Sequence, residues 1–265
     1  MRAAVIAAGM VISLACGTLP GGRRWGQDAT IAPGTERLMT AVHDAAVDPF
    51  TWVPLAGAGV LFVGKDWDEH LQEWAVDKTP VFGSTDDADS AGHDLRQLME
   101  EAWVVTMLAT PSGDETGTWL LDKSAGFAVE WSAVELNSGL TSALKDNFKR
   151  MRPTQLDDDS FPSSGASDTF TFGTLAKRNL DAIDMQAGTR SAVQIGISTL
   201  SAAEAWSRVE SGEHFPTDAL VGAALGNFVA RVVHDGFLGL PQDIWLTAYV
   251  DPGGDGASLG VTIRF

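Results

Sequence analysis

The sequence predicts an all-α protein, a multi-helix bundle that carries a small C-terminal β-hairpin. Apolar residues recur at helical spacing through most of the chain after residue 34, and strict alternation is confined to its last part. Breakers such as Pro111-Ser112-Gly113 and Gly212 separate the helical segments. A chain of 265 residues with 45% hydrophobic residues can bury one core without a second domain.

The helices are predicted from the spacing of apolar residues between these breakers. An apolar run at 54–64 is expected to add a buried helix. The amphipathic segments are 35–48, 66–76, 87–109, 116–148, 166–187, 192–206 and 217–233. Together these segments define one helical domain over residues 35–236.

The last segment, residues 237–265, is predicted to be a β-hairpin extension. Residues 245–249 and 259–265 show the alternation of a half-buried strand, and Asp251-Pro252-Gly253-Gly254 supplies the turn between them.

The amino terminus, residues 1–16, is predicted to be a signal peptide. Arg2 precedes an apolar run that ends at Ala15 and is too short to span a bilayer. Cys16 stands where a lipoprotein signal peptide is cut, but Ser13 replaces the usual aliphatic residue, so lipid attachment and ordinary cleavage both stay open. The Gly-rich residues 17–34 are expected to be a linker. The protein is therefore expected to be exported, either to the periplasm or to a lipid anchor on the envelope of a bacterium.

The charge of the chain excludes one class of partner. Its formal net charge of −17 repels phosphate backbones unless cations gather locally, so nucleic acid is not expected to bind. The sequence leaves the oligomeric state open.

Three cations between residues 145 and 208 predict an oxyanion site. Guanidinium groups match tetrahedral oxyanions with two parallel hydrogen bonds, and an ammonium adds a compact charge. Lys145, Arg152 and Arg208 could together neutralise a phosphate, although any one of them alone is usually a surface charge. Pro153 is expected to end the helix from Thr116 and to leave Arg152 at its C-terminal end.

His214 and Asp218 supply a candidate nucleophile and its partner. Pro216-Thr217 is expected to start a helix and to place the Asp218 carboxylate within reach of the imidazole. A carboxylate there fixes the tautomer and leaves the other ring nitrogen free to attack. The alternative is a histidine that caps a helix, with Asp218 favouring the helix dipole.

These spacings carry a family resemblance. The segments Lys145-x6-Arg152-Pro153, Ser160-Phe161-Pro162-Ser163-Ser164 and Ser207-Arg208-x5-His214-x3-Asp218 resemble the three-part signature of the type 2 phosphatidic acid phosphatase (PAP2) and vanadium haloperoxidase superfamily. The first and third parts match in full. Because no membrane helices are predicted, the resemblance is closer to the soluble periplasmic acid phosphatases than to the six-span lipid phosphatases.

The resemblance implies a role for each matching residue. The three cations would hold the phosphate, His214 would attack phosphorus to form a phosphohistidine, and Asp218 would orient His214. The Ser163 hydroxyl and the backbone N–H groups of Ser164 and Gly165 would complete the cradle. No cofactor is implied for this hydrolysis, and the substrate would be a small phosphorylated molecule such as a lipid phosphate or a diphosphate.

The middle segment departs from the family at Gly165. The family has a histidine there, which protonates the leaving oxygen, and the loss of a general acid costs a factor of about 10²–10⁴. Asp168 could replace it from one helical turn on, if desolvation keeps it protonated. His93 and His234 are further possible replacements, but the sequence does not place either one near the site.

Three functions are compatible with this departure. The first is a phosphoric ester hydrolase narrowed toward activated esters or phosphoanhydrides. The second is a non-catalytic protein that binds phosphate or a related oxyanion. The third is a vanadium-dependent haloperoxidase with His214 as the vanadate ligand, which the missing histidine and the short chain disfavour.

Overall fold

The computed structural model describes residues 15–19, 21–64 and 66–239, together with the backbone of residues 244–250 and 257–263. The predicted all-α class is confirmed. The helices are α1 Thr35–Val47, α2 Pro49–Val63, α3 Trp67–Lys78, α4 Thr85–Ala109, α5 Thr116–Phe148, α6 Ser164–Ala182, α7 Ala187–Glu210 and α8 Pro216–Val233, with a π-helical turn His234–Leu238 directly after α8.

Two strands follow the helices, where the alternation predicts a hairpin. Strand β1 Ile244–Val250 pairs antiparallel with β2 Ala257–Ile263, so that Ile244 lies opposite Ile263 and Val250 opposite Ala257. The predicted turn at 251–254 lies outside the described residues.

Helix α6 lies at the centre of the bundle and packs against α4, α5, α7 and α8. Its contact with α8 is close because two glycines of α8 face it. A Cβ atom at Gly222 would overlap the carbonyl oxygen of Ser163, and one at Gly226 would overlap that of Ser167. The amino-terminal ends of α6 and α8 are thereby held together.

The apolar core is built around Trp103 of α4. Its ring stacks on Phe172 of α6, with centroids 5.6 Å apart, and on Trp131 of α5 at 6.2 Å. Its indole N–H donates to the buried carboxylate of Glu130 at 2.6 Å. Aromatic side chains from three helices therefore fix the relative positions of α4, α5 and α6.

Helix α2 differs from its prediction because it is mostly exposed. It begins at Pro49, five residues earlier than expected, and only Thr51 and Ala58 are buried in it. Phe62 and Val63 at its end are 87% and 84% exposed. A helix that is apolar all round has no periodicity that could reveal which side packs on the bundle, so the predicted burial was wrong.

The described helices have the length and apolar character to cross a bilayer only when two of them are taken together. None of them alone is both long and apolar enough to cross a bilayer, whereas α1 and α2 together meet that test across a bend of 51°.

The predicted linker at 17–34 packs on the helices instead of forming a free tether. Trp25 is fully buried, and its backbone N–H donates to the Pro111 carbonyl at 2.8 Å. The Ser112 hydroxyl donates to the Trp25 carbonyl at 3.1 Å. The glycines indicated a flexible segment, but the apolar area of Trp25 outweighs them because its burial stabilises the docked chain.

Of the predicted signal peptide, only Ala15 and Cys16 fall within the described residues. The Ala15 carbonyl accepts hydrogen bonds from the Ser112 backbone N–H at 3.1 Å and from the Trp119 indole at 3.2 Å. Cys16 beside it is exposed. The predicted cleavage and the lipid attachment at Cys16 stay predictions.

Candidate active site

The three signature segments meet at one end of the bundle. Lys145 lies in the last turn of α5, Arg208 lies in the last turn of α7, and His214 lies in the loop before α8. Helix α5 ends at Phe148, and Lys149 follows it with a φ of 45°. Arg152 therefore lies in the loop after α5, which corrects its predicted place at the helix end.

His214 is held in one tautomer by a backbone carbonyl. Its Nδ1 lies 2.7 Å from the carbonyl oxygen of Ser160, and its own backbone N–H donates to the Arg208 carbonyl at 3.0 Å. Because a carbonyl oxygen only accepts hydrogen bonds, Nδ1 carries the proton and Nε2 keeps its lone pair. The side chain is 6% exposed. This is the state that a histidine nucleophile requires.

Asp218 does not contact His214 in the predicted way. Its Oδ2 lies 4.0 Å from Nδ1 of His214, beyond hydrogen-bond distance. That oxygen instead accepts from the Ser160 hydroxyl at 2.6 Å and from the Phe215 backbone N–H at 3.0 Å. The carbonyl of Asp218 accepts from the Ser163 N–H at 3.0 Å. Asp218 thus positions Ser160, and Ser160 positions the imidazole.

Arg150 is a site residue that the sequence analysis missed. Its guanidinium donates to Asp218 at 2.7 Å and to Asp68 of α3 at 2.7 Å, and it lies over the Phe215 ring at 4.0 Å. Asp68 also accepts from the Thr217 N–H at 2.9 Å. Arg150 lies two residues before Arg152. From the sequence alone, an arginine at that position could equally be a surface cation or a residue that supports Asp218, so the spacing gave no reason to select it.

The three predicted cations surround His214, and acidic or carbonyl oxygens hold them there. Lys145 donates to the Asp159 carbonyl. Arg152 pairs with Asp157 at 2.6 Å and with Glu213, and Arg208 pairs with Asp89. The Nε of Arg208 is buried and has no hydrogen-bond partner among the residues described. That unpartnered donor suits an oxyanion.

Burial and the neighbouring cations keep His214 neutral. Burial lowers the pKa of His214 well below its usual range, and Arg152 and Lys145 lower it further. Burial and the charge of Arg152 also lower the pKa of Lys145. Burial raises the pKa of Asp218, and Arg150 opposes that change. At neutral pH the imidazole therefore presents an unprotonated Nε2 beside positive charge.

The start of α6 supplies backbone donors. Ser163 is fully buried and caps the helix, with its hydroxyl oxygen accepting from the Ala166 N–H at 3.4 Å. The N–H groups of Ser164 and Gly165 lie in the first turn, where a helix has no internal acceptors for them. These groups are suited to an anion, as the resemblance implies.

A buried carboxyl occupies the place where a side chain at Gly165 would point. A Cβ atom at Gly165 would lie 2.5 Å from Oε1 of Glu204 and 2.9 Å from Cδ of Arg208. The sequence analysis did not identify Glu204. The signal that could have found it is its position one helical turn before Arg208, on the same side of α7.

The three residues predicted as possible replacements for the missing histidine are less well placed than Glu204 to act near Gly165. Asp168 is paired with Arg96 at 3.1 Å and with Asn137 at 3.2 Å. His93 is exposed on α4, with Nε2 3.8 Å from Asp89. His234 is buried in the π-helical turn, with Nε2 3.5 Å from Glu130. In the described part of the chain, no group of three or more His, Cys, Asp or Glu side chains is placed to hold a metal ion.

Comparison with known proteins agrees with the arrangement of these segments. A sequence model of the PAP2 superfamily matches residues 131–238, a range that contains all three signature segments. Neither a curated protein nor a solved structure matches the chain.

Proposed function

We propose that this chain, which belongs to the PAP2 superfamily, hydrolyses phosphate monoesters or phosphoanhydrides through a phosphohistidine at His214. The observation that carries the proposal is the state of His214. Its Nδ1 proton is directed at the Ser160 carbonyl and its pKa is depressed, so Nε2 is an unprotonated nucleophile at neutral pH.

The cations provide the binding energy for a phosphoryl group. Lys145, Arg152 and Arg208 bring three positive charges to a protein of net charge −17, which otherwise repels anions. Each of the two arginines is paired with an acidic side chain, which an incoming phosphate would share or replace. The buried Nε of Arg208 is ready to donate without such an exchange.

The reaction proceeds in two displacement steps. In the first step, Nε2 of His214 forms a bond to phosphorus while the bond from phosphorus to the leaving oxygen breaks. In the second step, water attacks phosphorus, the P–N bond breaks, and inorganic phosphate leaves with His214 neutral again. The Ser160 carbonyl stabilises the positive charge that develops on the ring, because it accepts the Nδ1 proton in a hydrogen bond.

A non-catalytic oxyanion-binding protein is the second candidate, and Gly165 favours it. The cradle of cations and helix N–H groups is present, whereas the side chain that would protonate the leaving group is missing at that position. Such a protein would bind phosphate or vanadate saturably and release no phosphate from any ester. A haloperoxidase with vanadate on His214 is disfavoured for the same missing side chain.

A phosphate-release screen tests the proposal. Purified protein is offered an alkyl phosphate, an aryl phosphate and a diphosphate, with His214→Ala as the inactive variant. His43→Ala is the matched control, because His43 is an exposed histidine on α1. We expect phosphate release that His214→Ala abolishes and His43→Ala preserves. Silence across the screen, with saturable phosphate binding, would favour the binding protein.

The place of action is part of the proposal. The predicted signal peptide at 1–16 supports export, and a lipid on the exposed Cys16 would suit an enzyme that acts on a lipid phosphate. Intact-mass measurement of the mature protein tests both ideas. A lipidated amino terminus at Cys16 supports the anchor, cleavage without lipid supports a periplasmic enzyme, and an unprocessed chain contradicts export.

A further inference from the structure

The position of the Glu204 carboxyl is the most unusual feature of the site. Gly165 has no side chain, and the room next to its Cα is taken by Oε1 of Glu204, 2.5 Å from where a Cβ atom would stand. Arg208 flanks the same point through its Cδ at 2.9 Å. Glu204 therefore lies between the start of α6 and Arg208, one of the residues predicted to bind phosphate.

Glu204 lacks the partners that structural buried acids have. Glu210, on the same helix and equally buried, accepts from the backbone N–H groups of Val81 and Phe82 and from the Trp206 indole. Glu204 is fully buried, yet neither of its oxygens has a hydrogen-bond partner of ordinary geometry among the described residues. The Thr169 hydroxyl is near enough to favour the charged form of the carboxyl, but its geometry is not that of a full hydrogen bond. Buried polar groups without partners are rare, and a functional role is one reason for them to persist.

The charged groups around Glu204 come from three helices. Arg208 lies on its own helix, Asp168 lies on α6 beside Thr169, and Arg96 lies on α4. Burial raises the pKa of Glu204 to about 8 and Asp168 adds to the effect, while Arg208, Arg96 and the Thr169 hydroxyl oppose it. At neutral pH the carboxyl is thus mostly protonated and able to donate a proton.

We propose that Glu204 is the general acid of this enzyme and replaces the side chain that is absent at Gly165. This inference rests on the proposed function. In the first step, the Glu204 proton passes to the leaving oxygen as its bond to phosphorus breaks. The carboxylate that remains is stabilised by Arg208, and in the second step it takes a proton from the attacking water.

This assignment changes the expected substrate class. Without an acid, only leaving groups that are stable as anions would depart readily, and the enzyme would be confined to aryl esters and phosphoanhydrides. With Glu204 as acid, alkyl phosphates are substrates as well. Burial raises the pKa of Asp168, as its predicted role requires, but its two oxygens already accept from Arg96 and Asn137, which favour the charged form. Asp168 is therefore less suited to this role than Glu204.

Glu204→Gln tests the assignment, since it keeps the size of the side chain and removes the acidic proton. We expect kcat/KM for an alkyl phosphate to fall by about 10²–10⁴-fold, and kcat/KM for p-nitrophenyl phosphate to fall far less, because nitrophenolate leaves without a proton. Glu210→Gln is the matched control for a buried glutamate on the same helix. It should lower stability without changing the alkyl-to-aryl ratio.

A double variant provides a test of rescue. Gly165→His alone would clash with Glu204, so the histidine is introduced together with Glu204→Ala, which removes the closest contact and leaves only the flexible Arg208 side chain, with Cδ at 2.9 Å, to move aside. We expect G165H/E204A to recover part of the alkyl phosphatase activity that E204A alone loses. The absence of any recovery in a folded double variant would contradict the idea that the two side chains occupy equivalent places.

Infrared spectroscopy gives a readout that is independent of turnover. The wild type should show a protonated carboxyl band at pH 7 that is missing in Glu204→Gln and that titrates near pH 8. An ionised Glu204 at pH 7, or equal losses for alkyl and aryl esters, would overturn the acid role and leave the proposed function intact. A wild type that releases phosphate from neither ester and from no diphosphate would overturn both.

Discussion

Nδ1 of His214 lies 4.0 Å from Oδ2 of Asp218, and Ser160 connects the two side chains through hydrogen bonds. The Ser160 carbonyl accepts from the imidazole at 2.7 Å, and its hydroxyl donates to the carboxylate at 2.6 Å. The carboxylate therefore acts on the nucleophile through the loop that carries Ser160, and not through direct contact.

Ser160→Ala tests this relay. The substitution keeps the carbonyl but removes the hydroxyl, so Asp218 loses one of its hydrogen bonds and the loop loses an anchor. A hydrogen bond to a charged group is worth about 1.5–3 kcal/mol, which corresponds to a loss of roughly 10-fold or more in kcat. Steady-state kinetics on an aryl phosphate measures it. An unchanged kcat would show that Asp218 and Ser160 do not hold His214 in place.

Glu213→Gln is predicted to tighten phosphate binding. Glu213 pairs with Arg152, so its charge competes with an incoming phosphate. An ion pair this exposed is worth up to about 1 kcal/mol, so we expect an affinity gain of up to about 5-fold. Isothermal titration calorimetry with inorganic phosphate measures it, and Glu101→Gln on the exposed side of α4 is the control. Weaker binding would indicate that Glu213 positions Arg152 instead of competing for it.

The pH dependence of alkyl phosphate hydrolysis follows from Glu204. Burial raises its pKa to about 8, so the proton needed by the leaving group is present below that pH and is lost above it. We expect kcat/KM for an alkyl phosphate to fall as pH rises through about 8, and kcat/KM for p-nitrophenyl phosphate to show no such fall. Parallel profiles for the two esters would contradict the prediction.

The same group is predicted to make stability depend on pH. Between its ordinary pKa of 4.5 and its folded pKa of about 8, the folded state holds a proton that the unfolded chain has released. The free energy of unfolding should therefore decrease as pH rises through that window. Glu204→Gln removes this contribution, so its stability relative to the wild type should increase from pH 5 to pH 8. Urea unfolding at several pH values checks it, and a constant difference would be the contrary result.

Gly226→Ala is predicted to destabilise the contact between α6 and α8. The added methyl group would overlap the Ser167 carbonyl oxygen, and overpacking of this kind costs about 1–3 kcal/mol. Gly196→Ala on α7 is the control, because its Cβ would meet no atom within 4 Å. That substitution should stabilise the protein by up to about 1 kcal/mol, since alanine favours a helix. Equal effects of the two variants in urea unfolding would contradict the close packing.

The sequence predicted the parts of the site that short spacings encode. The separation of Lys145 from Arg152 and of Arg208 from His214 follows from local chain geometry, and the structure brings the three cations together around His214. The role of Ser160 was not predictable in the same way, because it depends on a backbone carbonyl of a loop whose path the side-chain pattern does not determine.

Contacts between residues far apart in the chain could not be predicted from apolar periodicity or from motif spacing. Arg150 reaches Asp68 across 82 positions of the chain, and Glu204 meets Gly165 only because α6 and α7 pack against each other. The fold class was predictable from apolar periodicity. The exposure of α2 and the burial of Trp25 were not predictable from it. Each depends on which surface of the folded bundle remains open for other segments to pack on.

The measurement that tests the central claim most directly is isolation of the phosphoenzyme. Protein mixed with labelled p-nitrophenyl phosphate is quenched in alkali, where phosphohistidine survives, and the labelled peptide is sequenced by mass spectrometry. The account predicts phosphate on His214, with no labelled peptide from His214→Ala and with labelling retained in His43→Ala. A phosphoryl group on another residue, or full activity in His214→Ala, would contradict it.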